Sequence, residues 1–153
     1  MIYIAHRGLF KGPNKKLENN PDQIQLAISQ GFECEVDLRV VDDKLYLGHD
    51  EPQYEVSEDW LKKSRLWIHS KNKEAMSWLY YNQSYKFNYF WHEDDQHTLT
   101  SRGFIWTHPK SELLKFSVMV MPEYVDKTLD NAVQADCFAI CSDYVEKIRE
   151  KRK

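Results

Sequence analysis

The sequence predicts an α/β protein: a small, pared-down (β/α)8 barrel of the TIM type, with short or missing helices. Three observations carry that expectation. Eight short apolar runs of strand character follow one another along 153 residues, several of them separated by stretches of helical periodicity. Seven of the eight are followed within two residues by a His, Asp or Glu, and in parallel α/β folds function gathers at the carboxyl ends of strands. The first unit also reads strand–helix–strand, which implies parallel pairing and a right-handed crossover. Length pulls the other way, because closed barrels of this kind usually need about 200 residues or more. An open, partial barrel is therefore the alternative. Either form fits a single domain over residues 1–153.

Ile2 to Ala5 has the pattern of a short buried strand, stopped by His6-Arg7-Gly8. After a polar loop, Asn20 is placed to cap a helix with Pro21 at its first position, and Gly31 to close it. A long strand follows from Phe32, then the Asp42-Asp43 bend and a second run, Lys44 to Leu47. That gap is too short for a crossover, so the pair reads as an antiparallel hairpin that returns His49 beside Asp37. Helices are expected near Ser57–Lys63 and Asn72–Tyr81, with a basic amphipathic helix from Val145. Strands are expected at Leu66–His69, Phe87–Trp91, Phe104–Trp106, Val118–Met121 and Cys137–Cys141. The connections late in the chain leave room for only a turn or two of helix.

The chemistry concentrates between Phe32 and Asp50. Glu33, Glu35 and Asp37 alternate with Cys34, Val36 and Leu38. In a strand, a period of two puts three carboxylates on one face and three apolar side chains on the other. Like charges that close repel, so the row needs a compensating partner. A bound cation is one answer, since hard divalent ions take oxygen ligands; pairing with Arg39 and Lys44 on a solvated face is another. His49 and Asp50 then bring an imidazole to the same place, and carboxylates with imidazole are the equipment of metal-assisted acid–base chemistry.

Composition narrows the field. A net charge of −3 argues against nucleic-acid binding driven by phosphate neutralisation. Three cysteines without metal-finger spacing, and no secretory signal at the amino end, favour reduced thiols in a cytoplasmic protein. No run approaches a transmembrane span. His92-Glu93-Asp94-Asp95 reads as a solvated loop, although His92 and His108 follow strand ends and could line a pocket mouth. Trp91 and Trp106 read as core filling. Oligomeric state is not encoded in any visible pattern.

His6-Arg7-Gly8, Glu18-Asn19, Glu35-Val36-Asp37 and His49-Asp50 form an ordered series over the first fifty residues. In order and spacing, that series resembles the glycerophosphodiester phosphodiesterases, within the wider class of phospholipase-C-like phosphodiesterases. A looser likeness runs through Leu66 to Lys71, where the family has a strand with an acid and a lysine two apart. Ile140-Cys141-Ser142-Asp143-Tyr144 resembles the family's closing strand and its Thr-Asp ending. Beyond Lys71 the likeness covers mainly that final strand.

The resemblance implies a small-molecule phosphodiester substrate and a mechanism. His6 and His49 would be general acid and base, suited to it by a pKa near ~6.5. Arg7 and Lys71 would hold phosphoryl oxygens. Glu35 and Asp37 would bind a divalent cation, Mg²⁺ or Ca²⁺ first, with Mn²⁺ or Zn²⁺ also open. The departure is His69, which stands where the family usually has a glutamate as third metal ligand. Either His69, a softer neutral donor, or Glu123 would complete the shell. Glu18-Asn19 would fasten the loop carrying Arg7, and Asp50 would orient His49. The alternative to an enzyme is a degenerate, non-catalytic barrel that binds a phosphorylated ligand or a protein partner. A lyase that leaves a cyclic phosphate is a further possibility within the same class.

Overall fold

A computed structural model describes residues 1–153 and corrects the expected barrel. The strands are β1 (Ile2–Ala5), β2 (Glu33–Val41), β3 (Lys44–Leu47), β4 (Tyr54–Val56), β5 (Leu66–Ser70), β6 (Asn88–Phe90), β7 (His97–Leu99), β8 (Ile105–Thr107), β9 (Ser117–Val120) and β10 (Ala139–Ser142). The helices are α1 (Pro21–Ser29), α2 (Glu58–Leu61), α3 (Lys73–Tyr81), α4 (Asp130–Gln134) and α5 (Val145–Lys151). All ten strands share one mixed sheet. Eight of them, in the order β6-β5-β2-β1-β10-β9-β8-β7, curve into a half-barrel. Neighbours are parallel except β7, which runs antiparallel to β8. The β3–β4 hairpin is an antiparallel extension on the far half of β2.

The fold is therefore not a (β/α)8 barrel, and the reason is chain length between strands. No α-helix lies between β6 and β9, where the chain has only short turns and one loop from which to cross. A parallel crossover normally takes a dozen residues or more. A residue just after β7 bridges to the β6 edge: the Ser101 N–H donates to Tyr89 O at 2.8 Å, the Tyr89 N–H donates to Ser101 Oγ at 2.9 Å, and Ser101 Oγ donates to Phe87 O at 3.1 Å.

Local signals act as read. The Asn20 side chain accepts the N–H groups of Asp22 and Gln23 and caps α1, with Pro21 at its first position. Ser57 caps α2 by accepting the Trp60 N–H. Asp42 and Asp43 both take left-handed backbone (φ 49° and 60°), the geometry of a tight hairpin turn, and Leu38 pairs with Leu47 on the return. Asn72 caps α3 through the Ala75 N–H and also donates to Val40 O at 2.8 Å, so one amide continues the edge of β2 beyond the end of β5.

Two apolar layers flank the sheet. Outside, Cys34, Val36 and Leu38 pack against Ile24 and Ala27 of α1 and Ala75 and Leu79 of α3. Inside, Ile4, Trp67, Phe90, Trp106, Val118 and Cys141 fill the concave face, where Phe90 stacks on Trp106 at 4.6 Å. The acids of β2 therefore point to the concave side, above a floor of aromatic rings. No helix is long and apolar enough to cross a membrane.

Candidate functional site

Polar side chains on or just after β1, β2, β3, β5, β6, β8 and β9 meet in one cleft of about 470 Å³, at the carboxyl ends of the parallel strands. His6, Arg7, Glu35, Asp37, His49, His69 and Lys71 all line it. Glu123 does not. Its carboxylate is buried against the end of β10, where both oxygens lie 2.9 Å from Ser142 Oγ and Oε1 accepts the Asp143 N–H at 3.0 Å. The structure thus separates Glu123 from the acids of β2 and gives it the work of holding the Ser142-Asp143 turn.

That turn positions His6. Parallel pairing sets Ala5 opposite Ser142, so the residues that follow, His6 and Asp143, stand side by side. His6 Nδ1 lies 2.8 Å from Asp143 Oδ1. Burial pulls the His6 pKa down, but the Asp143 hydrogen bond and the charge of Glu35 outweigh it and leave it above the usual histidine value. His49 goes the other way. Burial depresses it, with help from the cations Arg7 and Lys71 and against the pull of Asp37 and Asp50, leaving it below the usual value. Its Nδ1 lies 2.7 Å from Asp50 Oδ1, the orienting contact expected of that acid.

His49 is delivered by the hairpin. The Gly48 N–H donates to Asp37 O at 3.0 Å, and Arg39 Nε donates to Gly48 O at 3.1 Å. Arg39 also bonds the His49 carbonyl, so it holds the loop and does not pair with the acids of β2. Lys44 pairs with Glu55 instead. At Gly48 a Cβ would sit 2.0 Å from Glu51 O, on backbone with φ 155°, so only glycine fits.

The loop after β1 ties the acids down. Arg7 adopts left-handed backbone (φ 51°) that turns its N–H toward Glu35 Oε2 at 3.0 Å. Its Nη1 donates to Glu18 Oε2 at 2.8 Å, and its Nε lies 3.1 Å from Asp37 Oδ2, in ion-pair contact without hydrogen-bond alignment. Gly8 follows at φ 79°, where a Cβ would lie 2.8 Å from Ile24 Cγ1, so glycine lets α1 approach. Asn19 is buried, donates to Asp37 Oδ2 at 2.8 Å and accepts the Asp37 N–H at 2.9 Å.

Glu35, Asp37 and His69 each present a ligand atom within 4.8 Å of the others. His69 Nδ1 lies 3.4 Å from Asp37 Oδ1 and 3.8 Å from Glu35 Oε1. Asp37 Oδ1 is buried and has no hydrogen-bond partner. A buried carboxylate oxygen left bare is costly, and two oxygens and a nitrogen of this kind fit a divalent cation. Burial and the neighbouring Asp37 raise the Glu35 pKa. Burial also works to raise Asp37, yet the close His69 ring, the charge of Arg7 and the Asn19 hydrogen bond bring it below the usual carboxylate range.

The far wall holds two rings read from sequence as core filling, Trp91 and Trp106, and the two histidines that the strand ends place at a pocket mouth, His92 and His108. His92 packs edge-on to His69, with centroids 4.6 Å apart. Burial and the nearby His69 and Lys71 take its pKa down to about 4. Asp143 and Tyr124 were not read as site residues. Asp143 had a usable signal, since in a half-barrel closed on its first strand the polar pair after the last strand must meet His6. Tyr124 had none. No protein-family model, curated protein or solved structure matches this chain.

Proposed function

We propose that this protein is a metal-dependent phosphodiester hydrolase acting on a glycerophosphodiester, or a similarly small headgroup diester, by two-histidine acid–base catalysis. The observation that carries the reading is the convergence of His6 and His49 with Glu35, Asp37 and Lys71 on one cleft. Its volume of about 470 Å³ is of the scale of small-molecule sites.

Two histidines with oppositely shifted pKa values divide the work. His49, held neutral, takes a proton from the attacking hydroxyl or water through Nε2, because Nδ1 is engaged by Asp50. His6, held protonated by Asp143, gives its Nε2 proton to the alkoxide that leaves as the P–O bond breaks. Lys71 holds a phosphoryl oxygen as a point charge. Arg7 has Nη1 and Nε committed to Glu18 and Asp37, which leaves Nη2 for the phosphate. Glu35, Asp37 and His69 would hold a divalent cation, which when bound would supply charge neutralisation for the phosphate.

The test is turnover of bis(p-nitrophenyl) phosphate and glycerophosphocholine by the purified chain with Mn²⁺, Mg²⁺, Ca²⁺ or EDTA. EDTA should abolish product, and His6→Ala and His49→Ala should each cut the rate about 100-fold or more. Near-normal rates in either variant at saturating metal refute the mechanism. Stabilisation by inorganic phosphate with no product favours a non-catalytic phosphate-binding protein instead.

A further inference from the structure

We infer that the cation site is a two-carboxylate, one-imidazole site with His69 Nδ1 as a direct ligand, and that it therefore selects Mn²⁺ over Mg²⁺ and Ca²⁺. The inference rests on the reading that Glu35 and Asp37 hold a cation; it does not depend on the chain turning over a diester.

The donor set is built by division of labour within each carboxylate. Glu35 Oε2 is taken by the Arg7 N–H, and Asp37 Oδ2 by Asn19 Nδ2 and Arg7 Nε. Each acid is left with one oxygen free of hydrogen bonds, and both free oxygens face the same ring nitrogen, 3.8 Å and 3.4 Å from His69 Nδ1. Ligands about 2.0–2.2 Å from a shared ion sit roughly 3 Å apart. Bringing His69 Nδ1 to that spacing from both oxygens takes shifts of under about an ångström. Carboxylates gripped from behind in this way are the outer-shell arrangement that orients metal ligands.

His69 has little freedom to leave. Parallel pairing of β2 with β5 sets it directly opposite Asp37. Its ring is stacked on Phe90 (centroids 4.8 Å, 18° between planes) and braced by the edge of His92.

The choice of ion follows from charge and donor type. The Arg7 guanidinium touches Asp37 but is shared with Glu18, and Glu35 is held only by the Arg7 backbone N–H, so the pair of acids keeps net negative charge for a cation. Ca²⁺ seeks six to eight oxygen ligands and Mg²⁺ an octahedron of oxygens completed by water, and a ring nitrogen in the shell suits neither. Neutral imidazole instead suits first-row transition ions, with Mn²⁺ the one among them most at home with carboxylate. The competing arrangement has no ion at all: a His69 imidazolium would sit between the acids and neutralise them itself.

The full chain, stripped of metal with chelator, is titrated with Mn²⁺ and followed by electron paramagnetic resonance of the free ion. Pulsed spectra of the bound ion report directly coordinated nitrogen. We expect bound Mn²⁺ with nitrogen coupling, displaced by Mg²⁺ or Ca²⁺ only at concentrations at least about tenfold higher. His69→Glu should lose the nitrogen coupling and narrow the preference over Ca²⁺. His69→Gln should weaken Mn²⁺ at least about 10- to 100-fold, the loss typical even of outer-shell partners. Bound Mn²⁺ without nitrogen coupling overturns the inference, as does coupling that survives His69→Glu, or no Mn²⁺ bound at millimolar concentration. If neither variant folds, the native spectrum and competition decide alone. A chain that coordinates Mn²⁺ through His69 and hydrolyses no diester refutes the proposed function and leaves this inference standing.

Discussion

Asn19→Ala should be among the most destabilising single substitutions in the molecule. The Asn19 amide is buried, donates to the Asp37 carboxylate and accepts the Asp37 N–H. A hydrogen bond to a charged group is worth about 1.5–3 kcal/mol and a neutral one about 1 kcal/mol. Alanine must also hold the left-handed backbone that Asn19 adopts (φ 57°), at about 1–2 kcal/mol. The sum is about 4–6 kcal/mol, a large part of the 5–15 kcal/mol that holds an ordinary domain together. With a urea slope of about 2 kcal/mol/M, the unfolding midpoint should fall by about 2 M or more. Asn19→Gly tolerates the same backbone and should recover about 1 kcal/mol of the loss, so the pair separates strain from lost bonding. Tryptophan fluorescence against urea measures both. A midpoint for Asn19→Ala close to that of the native chain would refute the claim that this side chain anchors β2.

Three further outcomes are expected. Gly48→Ala should disorder the loop that presents His49, because the new Cβ meets Glu51 O at 2.0 Å; turnover should fall at least as far as in His49→Ala, read in the same diester assay. Asp143→Asn should cost more stability at about pH 5.5 than at about pH 9, by about 1 kcal/mol. The His6 pKa is raised in the folded state, so the contribution of its protonated form is complete below the ordinary histidine value and fades as pH rises through the folded one; urea midpoints at the two pH values test the sign. Burial raises the thiol pKa of Cys34 and Cys141, so neither should react with a thiol reagent before unfolding, as timed absorbance in native buffer and in urea would show.

Much of the site was legible because it is written locally. The alternation of Glu35 and Asp37 with Val36 and Leu38 needs only the two-residue period of a strand, and the concave and helix-facing sides came out as that period requires. The Asn20-Pro21 cap and the Asp42-Asp43 bend are equally local. What escaped depends on the whole chain. Strands β4 and β7 are three residues each and too short to show a period. The half-barrel replaces the expected closed one because strand runs do not announce their partners, and β7 turns back antiparallel where a parallel strand was needed. Glu123 looks like a ligand from its place after a strand, but Ser142 and the Asp143 backbone engage its carboxylate and it does not line the cleft. Trp91 and Trp106 show the converse, since rings read as core filling also line the cleft.

The bond between His6 and Asp143 joins residues 137 positions apart, and β1 lies between β2 and β10. During synthesis from the amino end, β1 gains its first neighbour at β2 and waits for its second until β10 has emerged, more than a hundred residues later. For that interval the nascent sheet has the acids of β2 in hand but an unoriented imidazole at the tip of an open edge. Contacts of such long range form slowly. The half of the cleft built on Glu35 and Asp37 can therefore mature before the half built on His6 and Asp143.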